Sequence, residues 1–336
     1  MDTLAAYINA LGPPESIEVG YLPVATPGPT DVVVRTDALI VDNVDTYVRS
    51  GIYVTPMPFP FVIGRDLVGT VVAAGPGAPG FAEGDRVWCN SLGHDGRQGS
   101  FAQHVVVAAD RLYHLAAGID PVHAVAVLHT AGTASLGLFR DARLGAGDTV
   151  IVGGGAGGVG SAAIQLAAAS GAHVIATAAD SDAEWCRASG AQQVFDYRDK
   201  DLPAKLGDAA PGGADVYWDT SGHLDLPAIA PLLALGARVI ITATREPTVT
   251  LPAMSYYRLD ISIRGFAISN ASTSDLAAAA RIINSRLADK TLQPRIAARM
   301  PLTAAAEAHR LQEAGNAKGR IVVLPSEIAA TGDAHG

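Results

Sequence analysis

The sequence predicts an α/β protein built on a doubly wound parallel sheet, and three observations predict it. Strand-like and helix-like segments alternate through the middle of the chain. A glycine-rich turn joins one of those strands to the helix after it. The stretch before them is β-rich, with short β-branched runs cut by Gly and Pro. At 336 residues the chain is long enough for two domains.

Up to about residue 120, residues 31–36, 67–75, 85–90 and 103–109 read as strands, and the Pro-dense 55–61 reads as a loop. Residues 121–139 have the length and apolar bias of a helix. Alternation follows: strands over 149–154, 173–179, 192–197, 216–221 and 237–243, with helices over 161–170, 181–190 and 224–236. Such an order argues for a parallel sheet covered by helices on both faces. Two helical stretches, 275–289 and 302–315, precede a last strand over 320–325.

Composition narrows the class. Apolar residues make up 49% and charged residues only 17%, which calls for a large core and a subunit interface. The net charge of −9 argues against nucleic acid or an anionic membrane as partner. Two cysteines, Cys89 and Cys186, match no metal spacing and cannot make a disulfide framework, so they read as reduced thiols. Neither a signal peptide nor a membrane span is visible, and a cytoplasmic protein is expected.

The sharpest local signal is Gly155-Ala156-Gly157-Gly158-Val159-Gly160, which has G-x-G-x-x-G spacing between a strand and an Ala-rich helix. The first glycine of such a motif allows the tight turn. The second lets the backbone approach a pyrophosphate, and the third lets helix and strand pack closely. The helix then points its N-terminal N–H groups at the phosphates. The next strand ends at the uncharged Ala178, which leaves room for a ribose 2′-phosphate, with Arg187, Tyr197, Arg198 and Lys318 as partners for it. Asp180 stands two residues on and fits loosely as the acid of an NAD site. NADPH is expected, with NADH left open.

Further motifs then fall in order: Asp45–Gly51 with Tyr53, Gly64-Arg-Asp66, the glycine-spaced 69–75, Gly84-Asp-Arg-Val87, Ala156–Gly160, Ala306-Glu-Ala-His309 and Gly319-Arg-Ile-Val-Val. Together they resemble the zinc-independent quinone oxidoreductases of the medium-chain dehydrogenase/reductase type, between residues 45 and 323. The resemblance implies a GroES-like, β-rich catalytic domain from residues 1–122 and 271–336, with a Rossmann domain over 123–270 inserted in it. It also implies a homodimer. Zinc-dependent relatives carry Cys where this chain has Asp42 and His where it has Arg65. They also carry four thiolates after the G-D-R-V turn, where residues 88–99 hold one Cys and one His, so no zinc is expected.

The resemblance also implies site residues. Tyr47 is the first candidate for a pocket tyrosine that supplies a proton and Tyr53 the second. Thr133 would lie near the nicotinamide carboxamide, and Asp42 would face the substrate. Asn43, Val44 and Tyr47 would stand near the nicotinamide, Ala156 to Val159 at the pyrophosphate, and Thr177 and Tyr197 at the adenosine end. Phe266 and Ile268 would cover the far edge, and Lys318 and Arg320 would enter from the C-terminal segment. His94, beside Asp95 in a glycine-flanked loop, reads as an exposed loop histidine. The expected activity is NADPH-dependent reduction of a small electron acceptor, a quinone or a related carbonyl or alkene. An alkenal or enoyl-thioester reductase and an NADPH-binding structural protein remain open.

Overall fold

The apolar alternation of Asp31–Val41 makes it the central strand of a seven-stranded sheet in the computed structural model, which describes residues 1–244 and 247–326. On one side it pairs antiparallel with Leu67–Ala74, followed by Arg86–Cys89 and Tyr113–His114; His104–Ala108 pairs with it as well. On the other side lies a strand from the far end of the chain, Arg320–Leu324, with Ile321 opposite Val41 and Val323 opposite Leu39. Ile296–Pro301 runs parallel to it at the edge. Asp2–Ile8, Glu18–Pro23 and Phe61–Val62 form a second, three-stranded sheet. Ile8, Val34, Leu39, Leu67, Phe101 and Val323 belong to one buried cluster, so residues from both chain ends share a core.

Tertiary contacts divide the chain into a first unit, residues 1–129 with 294 onward, and a second, residues 130–293. These breaks fall later than 122 and 270. Pro121–Val125 packs on the strands of the first unit, and the helix Thr273–Ala288 packs on the turn Leu136–Asp141 of the second.

The second unit holds six parallel strands. Their spatial order is Gln193–Asp196, His173–Ala178, Thr149–Gly153, Ala214–Asp219, Leu233–Ile241 and Ser262–Gly265. The order reverses direction at Thr149–Gly153, as in a doubly wound dinucleotide fold. Val150, Ile151 and Val152 are fully buried, as expected where helices cover both faces of a sheet.

Local departures from the sequence reading have physical causes. Residues 121–139 form two helices, Pro121–Val125 and Leu128–Ser135, and a wider turn over Leu136–Asp141. Gly137 lies so close to the Trp218 ring that a Cβ there would stand 2.4 Å from Cη2. The helix expected over 224–236 is cut to Leu226–Ile229 and one 3-10 turn, because Leu233–Ile241 is already strand. Helices at Asn43–Ser50 and Leu202–Ala209 are additional.

His309 is fully buried in the first unit, edge-on to Phe101 at 6.0 Å between ring centroids, and neither ring nitrogen has a hydrogen-bond partner among the described residues. Burial, with the nearby Arg49 charge, pushes its pKa down to about 3. A histidine that binds its proton more weakly when folded than when unfolded stabilises the fold above pH 6.5 and loses that contribution as pH falls towards 3. Urea unfolding at pH 5 and pH 7.5 is expected to show wild type losing up to about 1.4 kcal/mol per pH unit from this group. His309→Leu should lose less; equal slopes would contradict the assignment.

Candidate active site

In the second unit, the C-terminal ends of the strands lie on one edge of the sheet, with Asp219 in register with both Gly153 and Ile241, and Ile241 with Gly265. The loop after Gly153 therefore shares that edge with Thr177 and Ala178, with Tyr197 after Asp196, and with Phe266 after Gly265. The loop is held by the Gly155 N–H, which donates to Thr177 O at 2.8 Å. The helix Gly158–Ala169 follows at once, and its first-turn N–H groups have no carbonyl one turn back to bond.

Each glycine has a geometric reason. Gly154, which precedes the motif, supplies the left-handed turn at φ +70°. Gly155, expected to make that turn, is instead excluded from carrying a side chain by packing: a Cβ would stand 2.9 Å from Ile164 Cδ1 and 3.0 Å from Ala176 Cβ. At Gly160 a Cβ would meet Gly154 O at 2.2 Å. The result is a bare backbone concavity at a helix N-terminus, a geometry that fits a dinucleotide diphosphate.

Beyond the diphosphate position, Ala178 is buried at its strand end and Asp180 is exposed in the turn Asp180–Asp182. Tyr197 is 54% exposed; the Arg198 guanidinium lies 4.8 Å from its ring and donates to its hydroxyl at 2.9 Å. Phe266 is half-buried, 6.3 Å from Trp218, with the Arg140 guanidinium 5.2 Å from its ring. Ile268 opens a 3-10 turn just after it. Thr133 is buried on the helix Leu128–Ser135.

In the first unit, charged residues distant in sequence are buried together. Asp42 precedes the helix Asn43–Ser50, and its backbone N–H donates to Asp45 Oδ2 at 2.8 Å. Asp42 Oδ1 accepts a hydrogen bond from Arg320 Nη2, in an ion pair with Asp42 buried and Arg320 partly buried. Asp66, fully buried, faces His129, with Oδ1 3.4 Å from Nδ1. One donor atom from each of Asp42, Asp66 and His129 lies within 4.8 Å of the other two. Arg65, also buried, lies over the Tyr53 ring, 5.8 Å from its centroid.

Burial would raise the Asp42 pKa, but Arg320, helped by His129 and Arg65, holds it below the ordinary carboxylate value. Burial and the Asp42 charge push Asp45 up to about 8, so it is protonated at neutral pH. The same two causes push Asp66 to about 6. For His129 burial acts downward, and the charges of Asp42 and Asp66 outweigh it and raise the pKa.

The remaining sequence candidates scatter around this cluster. Tyr47 is 46% exposed, and Tyr53 is half-buried with its ring 5.9 Å from His94. His94 is itself half-buried, bonded to Thr55 Oγ1 at 3.1 Å, rather than an exposed loop residue. Asn43 is exposed and accepts from Gln312 Nε2, and Val44 packs against the first unit's core. Lys318 is exposed, whereas Arg320 turns inward to Asp42. The sequence reading passed over His129, treated Asp45 and Asp66 only as motif positions, and read Arg65 as a motif position where zinc-dependent relatives carry His. The sequence signal for Asp45 was present: an acid three residues after the N-cap Asp42, in a helix closed by Gly51 at φ +83°.

A doubly wound sheet with a bare glycine loop, in a chain whose other unit closes both termini over a β-rich core, defines a dinucleotide-binding oxidoreductase scaffold. The family described as "Alcohol dehydrogenase GroES-like domain" matches residues 28–117, and "Zinc-binding dehydrogenase" matches residues 158–285. Quinone oxidoreductase from Sus scrofa is 31% identical over 306 residues, covering 90% of this chain and 92% of that protein. The Mus musculus enzyme is 29% identical, covering 95% and 97%. Among solved structures, an NAD-dependent alcohol dehydrogenase matches with a TM-score of 0.85 and 32% identity, covering 96% of this chain and 99% of that one. A mycobacterial protein solved with NADPH matches with a TM-score of 0.83 and 25% identity, covering 96% and 100%. The chain belongs to the quinone oxidoreductase family of medium-chain dehydrogenases/reductases, and it is an oxidoreductase.

Gly160→Ala is expected to displace the loop at Gly154 and weaken nicotinamide dinucleotide binding at least tenfold by calorimetry; an unchanged Kd would contradict the packing argument. Asp45 binds its proton more tightly folded than unfolded, so the fold loses stability as pH rises from about 4 to 8. Asp45→Asn, close in shape to the protonated acid, should be less pH-sensitive than wild type in urea unfolding between pH 5 and 8. Equal pH dependence would place the charge elsewhere.

Proposed function

We propose that the chain is an NADPH-dependent, zinc-independent reductase of quinones or related activated carbonyl and alkene acceptors, acting as a cytoplasmic homodimer. The observation that carries the metal-free reading is a pair of arginines, Arg65 buried and Arg320 partly buried, beside the buried carboxylates. With Asp45 protonated, Asp42 and Asp66 are balanced by Arg65 and Arg320. A zinc ion added to Asp42, Asp66 and His129 would leave two positive charges uncompensated beside buried carboxylates, since Arg65 and Arg320 already balance Asp42 and Asp66. The donor set does not fit zinc.

The glycine cradle supports dinucleotide binding, and the uncharged, buried Ala178 favours the 2′-phosphate of NADPH, as does a relative solved with NADPH. When bound, the reduced nicotinamide supplies hydride; the protein positions the acceptor and excludes water. Tyr47, half exposed on the helix after Asp42, is the first candidate to meet a small acceptor, and Tyr53 the second. The dimer reading rests on the edge strand Ser262–Gly265, whose four residues are all exposed, and on the nearby exposed Met254 and Tyr257. Among the described residues no helix is long and apolar enough to cross a membrane.

NADPH oxidation with a panel of quinones, enals and enoyl thioesters tests the reading. Turnover is expected with at least one acceptor, undiminished by chelator, with zinc below about a tenth of an equivalent per chain and a lower Kd for NADPH than for NADH. Turnover lost with chelator and restored by zinc would overturn the metal-free part; no turnover with any acceptor would overturn the rest. Tyr47→Phe is expected to lower kcat while the cofactor Kd is kept.

A further inference from the structure

We propose that Arg97 and Arg111 form an anion seat, and that the acceptor reduced by this chain carries a carboxylate that binds there. The inference rests on the reductase function proposed above and names its substrate class.

The seat is assembled around Ser91, which is buried just after the strand Arg86–Cys89. Arg97 Nε donates to Ser91 O at 3.3 Å, and Arg111 Nη1 donates to Ser91 Oγ at 3.5 Å. Two guanidinium groups are thus drawn to one residue. A tight turn places the first of them. The Arg97 N–H donates to His94 O at 3.2 Å, and the two residues between, Asp95 and Gly96, are left-handed at φ +53° and +79°. Asp-Gly favours such a turn, because both central residues must take positive φ. The turn is pinned from outside: the Gly96 N–H donates to Pro56 O and the Asp95 N–H to Thr55 Oγ1, both at 2.8 Å. Arg111 ends the 3-10 turn Ala109–Arg111, which follows the strand His104–Ala108.

The charges around the seat favour an anion. Both acceptors on Ser91 are neutral. Among the described residues, the only carboxylate within ion-pairing reach of either guanidinium is Asp95, 3.9 Å from Arg97 and with 72% of its side chain exposed. Arg97 keeps 26% of its side chain exposed, and Arg111 is half-buried, so both are within reach of a ligand. Burial, and then the Arg111 charge, lowers the Arg97 pKa, as two cations held close together require. His94 is lowered as well, by burial and then by the charges of Arg65 and Arg97, so it is neutral near pH 7. An anion between Arg97 and Arg111 removes their repulsion. A carboxylate does so with charge-assisted hydrogen bonds, because its planar pair of oxygens matches the fork of a guanidinium.

The seat adjoins a residue already proposed to meet the acceptor. The Tyr53 ring lies 5.9 Å from the His94 ring and 5.8 Å from the Arg65 guanidinium. An acceptor resting against Tyr53 and reaching past His94 brings its far end to Arg97. The substrate class is therefore a quinone or an α,β-unsaturated carbonyl that bears a carboxylate several bonds from the atom that takes hydride.

The test compares two matched acceptors, cinnamaldehyde and 4-carboxycinnamaldehyde, in NADPH oxidation by the full chain. The carboxylate should raise kcat/KM roughly tenfold, through KM, and added salt should erase the gain. Arg97→Gln and Arg111→Gln should each bring the two acceptors to within about twofold of each other, whereas Arg97→Lys, which keeps the charge, should hold part of the preference. A merely structural tie to Ser91 would move both acceptors alike. Calorimetry on the cofactor-free chain reads the seat without turnover: 4-carboxycinnamaldehyde should bind wild type roughly tenfold tighter than Arg111→Gln. That variant carries the test if Arg97→Gln does not fold. An acceptor ratio, or a binding constant, that is the same in wild type and both glutamine variants would overturn the seat. Binding of inorganic phosphate that depends on both arginines, with no gain in kcat/KM from the carboxylate, would overturn the substrate class. Turnover of neither acceptor, with the binding difference intact, would overturn the reductase function and the substrate class with it, and leave the seat standing.

Discussion

The partly buried pairing of Asp42 with Arg320 is the contact on which the first unit and its candidate chemistry depend. It ties the end of the strand Asp31–Val41 to the start of Arg320–Leu324, where the two halves of the chain meet in one sheet. Two charges removed from water cost several kcal/mol each unless they pair closely, so neither residue is tolerated there alone. The pair also closes the charge balance of the cluster. A carboxylate held ionised by its guanidinium raises the proton affinity of Asp45, Asp66 and His129 around it.

This arrangement bears on how a scaffold matched by a zinc-binding family would hold its charge under the metal-free reading proposed above. A cation is present in covalent form, as two guanidinium groups that do not deprotonate at any working pH. On the proposed reading, the fixed positive charge beside the reacting groups comes from these arginines, of which Arg320 bonds to Asp42. The chemistry proposed for the site is then proton transfer and positioning, which suits a nicotinamide-dependent reaction.

Much of this was legible in the sequence, for reasons that differ by element. The parallel sheet was readable because strands covered on both faces show continuous β-branched runs, as at 149–154 and 173–179. The nucleotide loop was readable because its glycines answer to backbone geometry, although the left-handed position proved to be Gly154 and not Gly155. Leu202–Ala209 was missed because a single buried leucine gives an eight-residue helix no periodic signal. Of the site, Asp42 and Arg320 were legible one at a time, in separate roles, and their pairing was not. Asp42, Asp66, His129 and Arg320 are spread over most of the chain, and nothing in local periodicity or spacing brings them together. The raised proton affinities are likewise invisible, since they arise from burial at Asp45 and Asp66 and from carboxylate charges that folding brings close.

The account turns on whether the Asp42–Arg320 pair is energetically coupled in the folded protein. A double-mutant cycle with Asp42→Asn and Arg320→Gln, read by urea unfolding at pH 7, measures that directly. A coupling free energy of about 2 kcal/mol or more is predicted for a buried, charge-assisted pair. A coupling below about 0.5 kcal/mol would mean that the two residues act independently, and would contradict the arginine as the cation of this site.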